Sequence, residues 1–195
     1  MSNATCDVSV TSDVVLVCIG SDDLRQQITT TLRAQWPVRT ACDDWAVAES
    51  LDEAVSVVVF DLDDDAFEID SAVDRRDQDG ISFEMAALVD DPSRWSDERL
   101  DGYVRKPVSD DDLRATVERL NRRVQYDRLL GRYYAVANEY AEEASATHHD
   151  PSELARLKER LFTMRKRLDE IADELEDVDA FDVALGEDDD DFSPR

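Results

Sequence analysis

Val55-Ser56-Val57-Val58-Val59-Phe60-Asp61 is a β-branched and aromatic run that ends in a carboxylate, with Leu62, Asp63, Asp64 and Asp65 behind it. Only Ser56 interrupts the apolar character, so the run fits a strand buried on both faces of a parallel sheet. Ligand chemistry in open α/β sheets gathers at the carboxyl ends of strands, which makes Asp61 the first candidate site residue.

Working outward, Val14-Val15-Leu16-Val17-Cys18-Ile19 is a second such run. Gly20-Ser21 turns the chain after it. Ser21 is placed to cap a helix that runs to about Ala34, with Asp22 and Asp23 at its positive end and Pro37 closing it. Val38 to Ala41 supplies a short strand and Trp45 to Leu51 a short helix. Beyond Asp61, a helix falls within Phe67 to Arg76, a strand at Ser82 to Val89, a helix at Pro92 to Leu100, and a strand at Tyr103 to Arg105. Lys106-Pro107 ends that strand, and Ser109 caps the next helix. Strands alternating with helices need crossover connections, so the fold class is α/β, a doubly wound five-stranded parallel sheet.

From Leu113 on, the strand signal stops. Leu113, Val117, Leu120 and Val124 step at helical spacing, followed by Tyr126, Leu130, Tyr133, Ala137, Tyr140 and Ala144. After Thr147-His148-His149-Asp150-Pro151, where Ser152 is placed to cap, a third run begins. Leu154, Leu157, Leu161, Met164, Leu168, Ile171, Leu175 and Val178 alternate three and four, the a/d spacing of a coiled coil. These runs predict a C-terminal antiparallel helical hairpin with Ala144 near Leu154 and Leu130 near Leu168. The stripe reads as a packing seam. Tyr133, Tyr134 and Tyr140 read as part of it, and Trp36, Trp45 and Trp95 read as packing residues. His148 and His149 read as turn residues.

Charge is distributed unevenly over the 195 residues. Residues 1 to 112 hold 27 acids against 9 bases, residues 113 to 168 hold 8 against 12, and residues 169 to 195 hold 13 against one. Acid spread over a folded domain with three lysines fits a halophilic cytoplasm, where screening shortens electrostatic repulsion to a few ångströms. The arginines of the hairpin form a positive band, read as a solvated face balanced by nearby glutamates. DNA is disfavoured as a partner, because affinity built on phosphate contacts falls by roughly three to five decades over a fourfold rise in salt, and no DNA-binding motif is visible. Cys6, Cys18 and Cys42 are odd in number and lack metal-ligand spacing, which reads as reduced, packed thiols. The apolar runs are strand-sized, so the expectation is a cytoplasmic protein with no membrane association.

Four of these landmarks resemble a response-regulator receiver domain. Asp61 stands where that family has its phospho-accepting aspartate. Lys106 of Lys106-Pro107 matches the lysine that neutralises the phosphoryl group, Tyr103 the switch aromatic, and residues 14 to 19 the first strand. The resemblance implies a flavodoxin-like fold and two-component signalling or phosphorelay. The departures matter as much. Ile19 and Gly20 fall where the family carries the acidic pair that holds Mg2+. Ala87 falls where it carries a hydroxyl. Asp64 and Asp65 replace the Met-Pro that follows the phospho-acceptor loop. Phosphoryl transfer to a carboxylate relies on that charge neutralisation, so Asp61 reads as a vestigial phospho-acceptor paired with Lys106. A rearranged cation site using Asp61 with Asp64 or Asp22 is the alternative.

Residues 125 to 178 resemble the HalX domain through Tyr126-Asp127-Arg128-Leu129-Leu130, Tyr133-Tyr134-Ala135-Val136-Ala137 and the Leu-rich second helix. The expected layout is therefore a degenerate receiver at 13 to 123, a HalX-like hairpin at 124 to 180, and an acidic tail at 181 to 195. The expected function is signal regulation through protein–protein contact, without enzymatic activity and without a cofactor. Mg2+ enters only if Asp61 is phosphorylated. The partner would be a histidine kinase or another regulator, with a homodimer possible in principle. The alternatives are a phosphorylatable response regulator and a DNA-binding transcription regulator.

Overall fold

The computed structural model describes residues 13–63, 67, 69–79, 81–91, 99–146 and 150–186. Five strands form one all-parallel sheet: β1 (Val14–Cys18), β2 (Val38–Ala41), β3 (Val55–Asp61), β4 (Glu84–Val89) and β5 (Gly102–Arg105). Their order across the sheet is β2-β1-β3-β4-β5, which places the opening stretch at the centre. Every residue of β1, β3 and β4 is buried. Between them run α1 (Asp22–Leu32), α2 (Asp44–Ser50) and α3 (Ile69–Asp79), and after β5 come α4 (Asp110–Ser145) and α5 (Pro151–Gly186).

Successive strand residues point to opposite faces, and this alternation divides the core in two. Val15, Val17, Val57, Val59, Ala86 and Leu88 pack with Ile28 and Leu32 of α1 and with Leu113, Val117 and Leu120 of α4. Leu16, Cys18, Val58, Phe60 and Met85 pack with Val47 of α2 and Ala72 of α3. A strand with apolar residues at both parities is what such a two-sided sheet requires.

The chain divides into two compact units that meet at Asn121 and Arg122. Within the second unit, α4 and α5 run antiparallel. Arg122 of α4 reaches Glu174 of α5 at 3.5 Å, while at the other end the Asp150 N–H donates to Glu143 Oε1 at 2.8 Å. Leu157, Leu168 and Ile171 are the buried seam of α5. On the part of α4 in this unit, Val124 and Val136 are buried, and Ala144 is exposed. The helix α5 continues to Gly186, past residue 181 where the tail was expected to start.

Several local expectations change. Ser21 precedes α1 but its side chain makes no capping hydrogen bond, and α1 ends at Leu32. Asp150, not Ser152, caps α5: its carboxylate accepts from the Ser152 N–H at 2.9 Å, and Pro151 takes the first helical position. Trp45 is 70% exposed, because α2 turns Val47 inward and leaves Trp45 on its outer side. Tyr134 is likewise exposed, whereas Trp36 packs against the core. Cys18 is buried but Cys42, in the turn after β2, is exposed. The helix at Pro92 to Leu100 lies almost wholly outside the described residues. Asp64, Asp65, Cys6, Trp95, His148, His149 and residues 187 to 195 lie wholly outside them. No helix among the described residues is long and apolar enough to cross a membrane.

Candidate functional site

Asp61 ends β3 at the carboxyl edge of the sheet, and its side chain is 7% exposed. A carboxylate this deep needs partners, since burying an unpaired charge is expensive. Lys106, directly after β5, supplies the main one: its Nζ lies 2.5 Å from Asp61 Oδ1. The same ammonium lies 3.0 Å from Asp63 Oδ2. Two further hydrogen bonds tie these carboxylates to the backbone. The Asp63 N–H donates to Asp61 Oδ1 at 3.1 Å, and the Asp90 N–H donates to Asp63 Oδ2 at 3.1 Å. The backbone N–H of Lys106 donates to the Val89 carbonyl at 2.8 Å, and the Lys106–Pro107 peptide is cis. One lysine thus joins the loops that follow β3, β4 and β5.

Burial by itself would depress the Lys106 pKa. The hydrogen bonds and charges of Asp61 and Asp63 outweigh that penalty, and the ammonium's pKa lies above the ordinary lysine value. Cys18, at the end of β1, shows burial acting without a cationic partner: desolvation first, and the Asp44 charge second, push its thiol well above the ordinary value. Cys18 is therefore an inert packing residue.

Tyr103 sits in β5 beside Ala87 of β4, with its side chain 60% exposed. It shares the edge of the sheet with Lys106 but not the Asp61 cluster. The register of β4 against β3 shows which residues flank Asp61. Ala87 stands beside Phe60, and Leu88 stands beside Asp61, with Val89 next along β4. All three are apolar, so none offers an O–H at this edge.

On the other side of β3, Cys18 stands beside Phe60, which brings Ile19 level with Asp61. Ile19 is fully buried. The carbonyls of Ile19 and Gly20 accept from Arg25 Nη1 at 2.8 and 3.3 Å, and Arg25 also pairs with Asp22. Arg25 was missed in reading the sequence. Its signal is local: it follows Asp22 by three residues, one helical turn away, and a guanidinium there reaches the strand end.

This geometry tests whether the residues fit a divalent cation. Hard cations take several carboxylate or carbonyl oxygens. Neither Ile19 nor Gly20 brings a carboxylate, and their carbonyls face a guanidinium. Asp22 pairs with Arg25, and Asp64 lies outside the described residues. Asp61 and Asp63 already converge on an ammonium. Among the described residues, no group of three or more His, Cys, Asp or Glu side chains is placed to hold a metal ion. Among the described residues, the groups at this edge do not fit Mg2+.

The sheet order and helix placement are those of signal receiver domains. A Vibrio cholerae chemotaxis protein, CheY4, matches with a TM-score of 0.50 at 23% identity, over 56% of this chain and 98% of that one. A signal receiver domain of an HD-domain-containing protein from Pseudomonas fluorescens matches at 0.50 and 15%, over 58% and 98%. One from Vibrio parahaemolyticus matches at 0.52 and 14%, over 61% and 97%. Residues 122–185 match the HalX domain family model, so a receiver fold is followed by a segment similar to the HalX domain. No curated protein matches the chain.

Proposed function

We propose that the chain is a signalling regulator of the response-regulator type whose receiver unit acts as a pseudo-receiver, through protein–protein contact and without enzymatic activity. One observation carries this reading: Lys106 is shared between Asp61 and Asp63, while Ile19, Gly20, Leu88 and Val89 bring neither a carboxylate nor a hydroxyl to the same edge. In this reading Asp61 is a structural anchor, and its lysine fixes three loops that form a recognition surface together with the exposed Tyr103. The partner class is protein, either a histidine kinase or another regulator. Neither a resident cofactor nor DNA is part of this proposal.

A second reading has its own support, because Asp61 and Lys106 remain paired at the carboxyl edge where a receiver accepts phosphate. The deciding experiment treats the protein in molar KCl with Mg2+ and a small phosphodonor, or with beryllofluoride. Intact mass and the NMR signals of Asp61 and Tyr103 are then followed. The pseudo-receiver reading expects neither an added mass nor a shift. Stoichiometric modification that disappears in Asp61→Asn overturns it in favour of a phosphorylatable regulator.

A further inference from the structure

Helix α5 carries a second stripe, on the side away from its seam. Ala155, Lys158, Phe162, Arg165, Asp169 and Ala172 follow one another at spacings of three, four, three, four and three, so they share one face of the helix. All are exposed except Ala172, which is half-buried, and Phe162 is 71% exposed. Phe162 gives the row an apolar centre flanked by charges.

Two properties of the stripe point to a second copy of this helix. First, its spacing reads the same in both directions, so an antiparallel copy falls into register. Ala155 then meets Ala172, Lys158 meets Asp169, and Phe162 meets Arg165, each pair occurring twice about the two-fold axis. Small residues allow close approach at the ends, opposite charges pair next, and a guanidinium stacks on an aromatic ring at the centre. Second, the stripe's charges are not used in ion pairs among the described residues. Arg156 is paired with Glu153, Lys166 and Arg167 with Glu170, and Arg122 with Glu174. Among the described residues, Lys158, Arg165 and Asp169 have no ion pair. Several charges beside the stripe are paired internally, and those on it are complementary to its own reverse.

We propose that this face of α5 is a self-recognition surface on which two copies of the chain pair through an antiparallel α5–α5 contact. The inference is independent of whether Asp61 accepts phosphate. The seam residues Leu157, Leu168 and Ile171 stay committed to α4, so each copy keeps its own hairpin and no exchange of helices is needed.

The test uses the full chain in molar KCl, with association followed by sedimentation equilibrium. A dimer is expected. Phe162→Ala weakens it roughly tenfold to a hundredfold, from the apolar area it removes twice. Lys158→Glu sets two acids face to face and weakens it roughly tenfold, and adding Asp169→Lys restores it. These side chains are exposed, so helicity by circular dichroism stays unchanged in every variant. A carbodiimide cross-link between Lys158 and Asp169 is expected to join 14N- and 15N-labelled copies. The two residues lie ~16 Å apart along one helix, too far for a link within a copy. A monomeric chain overturns the proposal. So does a dimer that lacks the Lys158–Asp169 link, or one in which the charge swap fails to rescue.

Discussion

Lys106 is the residue on which the sheet edge depends, because both carboxylates it touches would otherwise face each other. Lys106→Met should cost roughly 1–3 kcal/mol, less than for a fully buried pair because water still reaches Asp63. Asp61→Asn should cost less, since the amide oxygen still accepts a hydrogen bond. The double variant should cost less than the two losses combined, and a denaturant double-mutant cycle measures that coupling. The pH dependence has a definite sign. A lysine whose folded pKa lies above its ordinary value of 10.5 stabilises the fold fully below that value. That contribution is lost as pH rises through the folded pKa. The stability difference between the native chain and Lys106→Met should therefore be flat from neutral pH to about 10 and shrink above 10.5. A difference that shrinks already between pH 7 and 9 would remove Lys106 as the source.

At the scale of elements, caps and faces decide. Asp150 accepts hydrogen bonds from Ser152 through both its backbone N–H and its hydroxyl, and these bonds hold its carboxyl below the ordinary range. Its contribution to α5 is present above the unfolded-state value and lost as pH falls through the folded one. Asp150→Ala should therefore lower the melting temperature at neutral pH and change little in acid, whereas Ser152→Ala should be milder. Ser152 was the cap expected from the sequence, and the geometry gives that role to Asp150. The same holds on α4, where the apolar residues from Leu129 to Ala141 leave room for more than one seam. Val136 is buried and Tyr134 exposed because the partner helix covers only one side. Leu157→Ala tests the seam: a fully buried leucine lost there should cost about 2–5 kcal/mol.

For the whole molecule, charge sets the working conditions. A net charge of -26 on 195 residues implies repulsion that salt must screen. Thermal unfolding should shift upward between dilute buffer and molar KCl. A melting temperature that falls with added KCl would contradict the halophilic reading. The paired strands β1, β3 and β4 are buried on both faces and should form the last part of the chain to exchange amide protons.

The parallel sheet was legible because Val14 to Ile19 and Val55 to Phe60 have no polar face at either parity, and a strand of that kind has one environment open to it. Asp61 and Lys106 were legible as a pair because each follows directly on a strand whose end the apolar pattern marks. Asp63 and Arg25 were not read as members of the site. Their roles depend on where a turn carries a side chain, and the one-dimensional spacing to Lys106 or Ile19 does not state that. The identity of Asp61's neighbours was likewise settled by register: Leu88 rather than Ala87 stands beside it, a one-residue difference that pattern alone leaves open. The sequence by itself determined the layers, the helical hairpin and the charge, because burial periodicity and composition are local properties. The tertiary structure decided which carboxylates share the lysine and which faces of α4 and α5 remain uncovered, because those depend on distances between segments far apart in the chain.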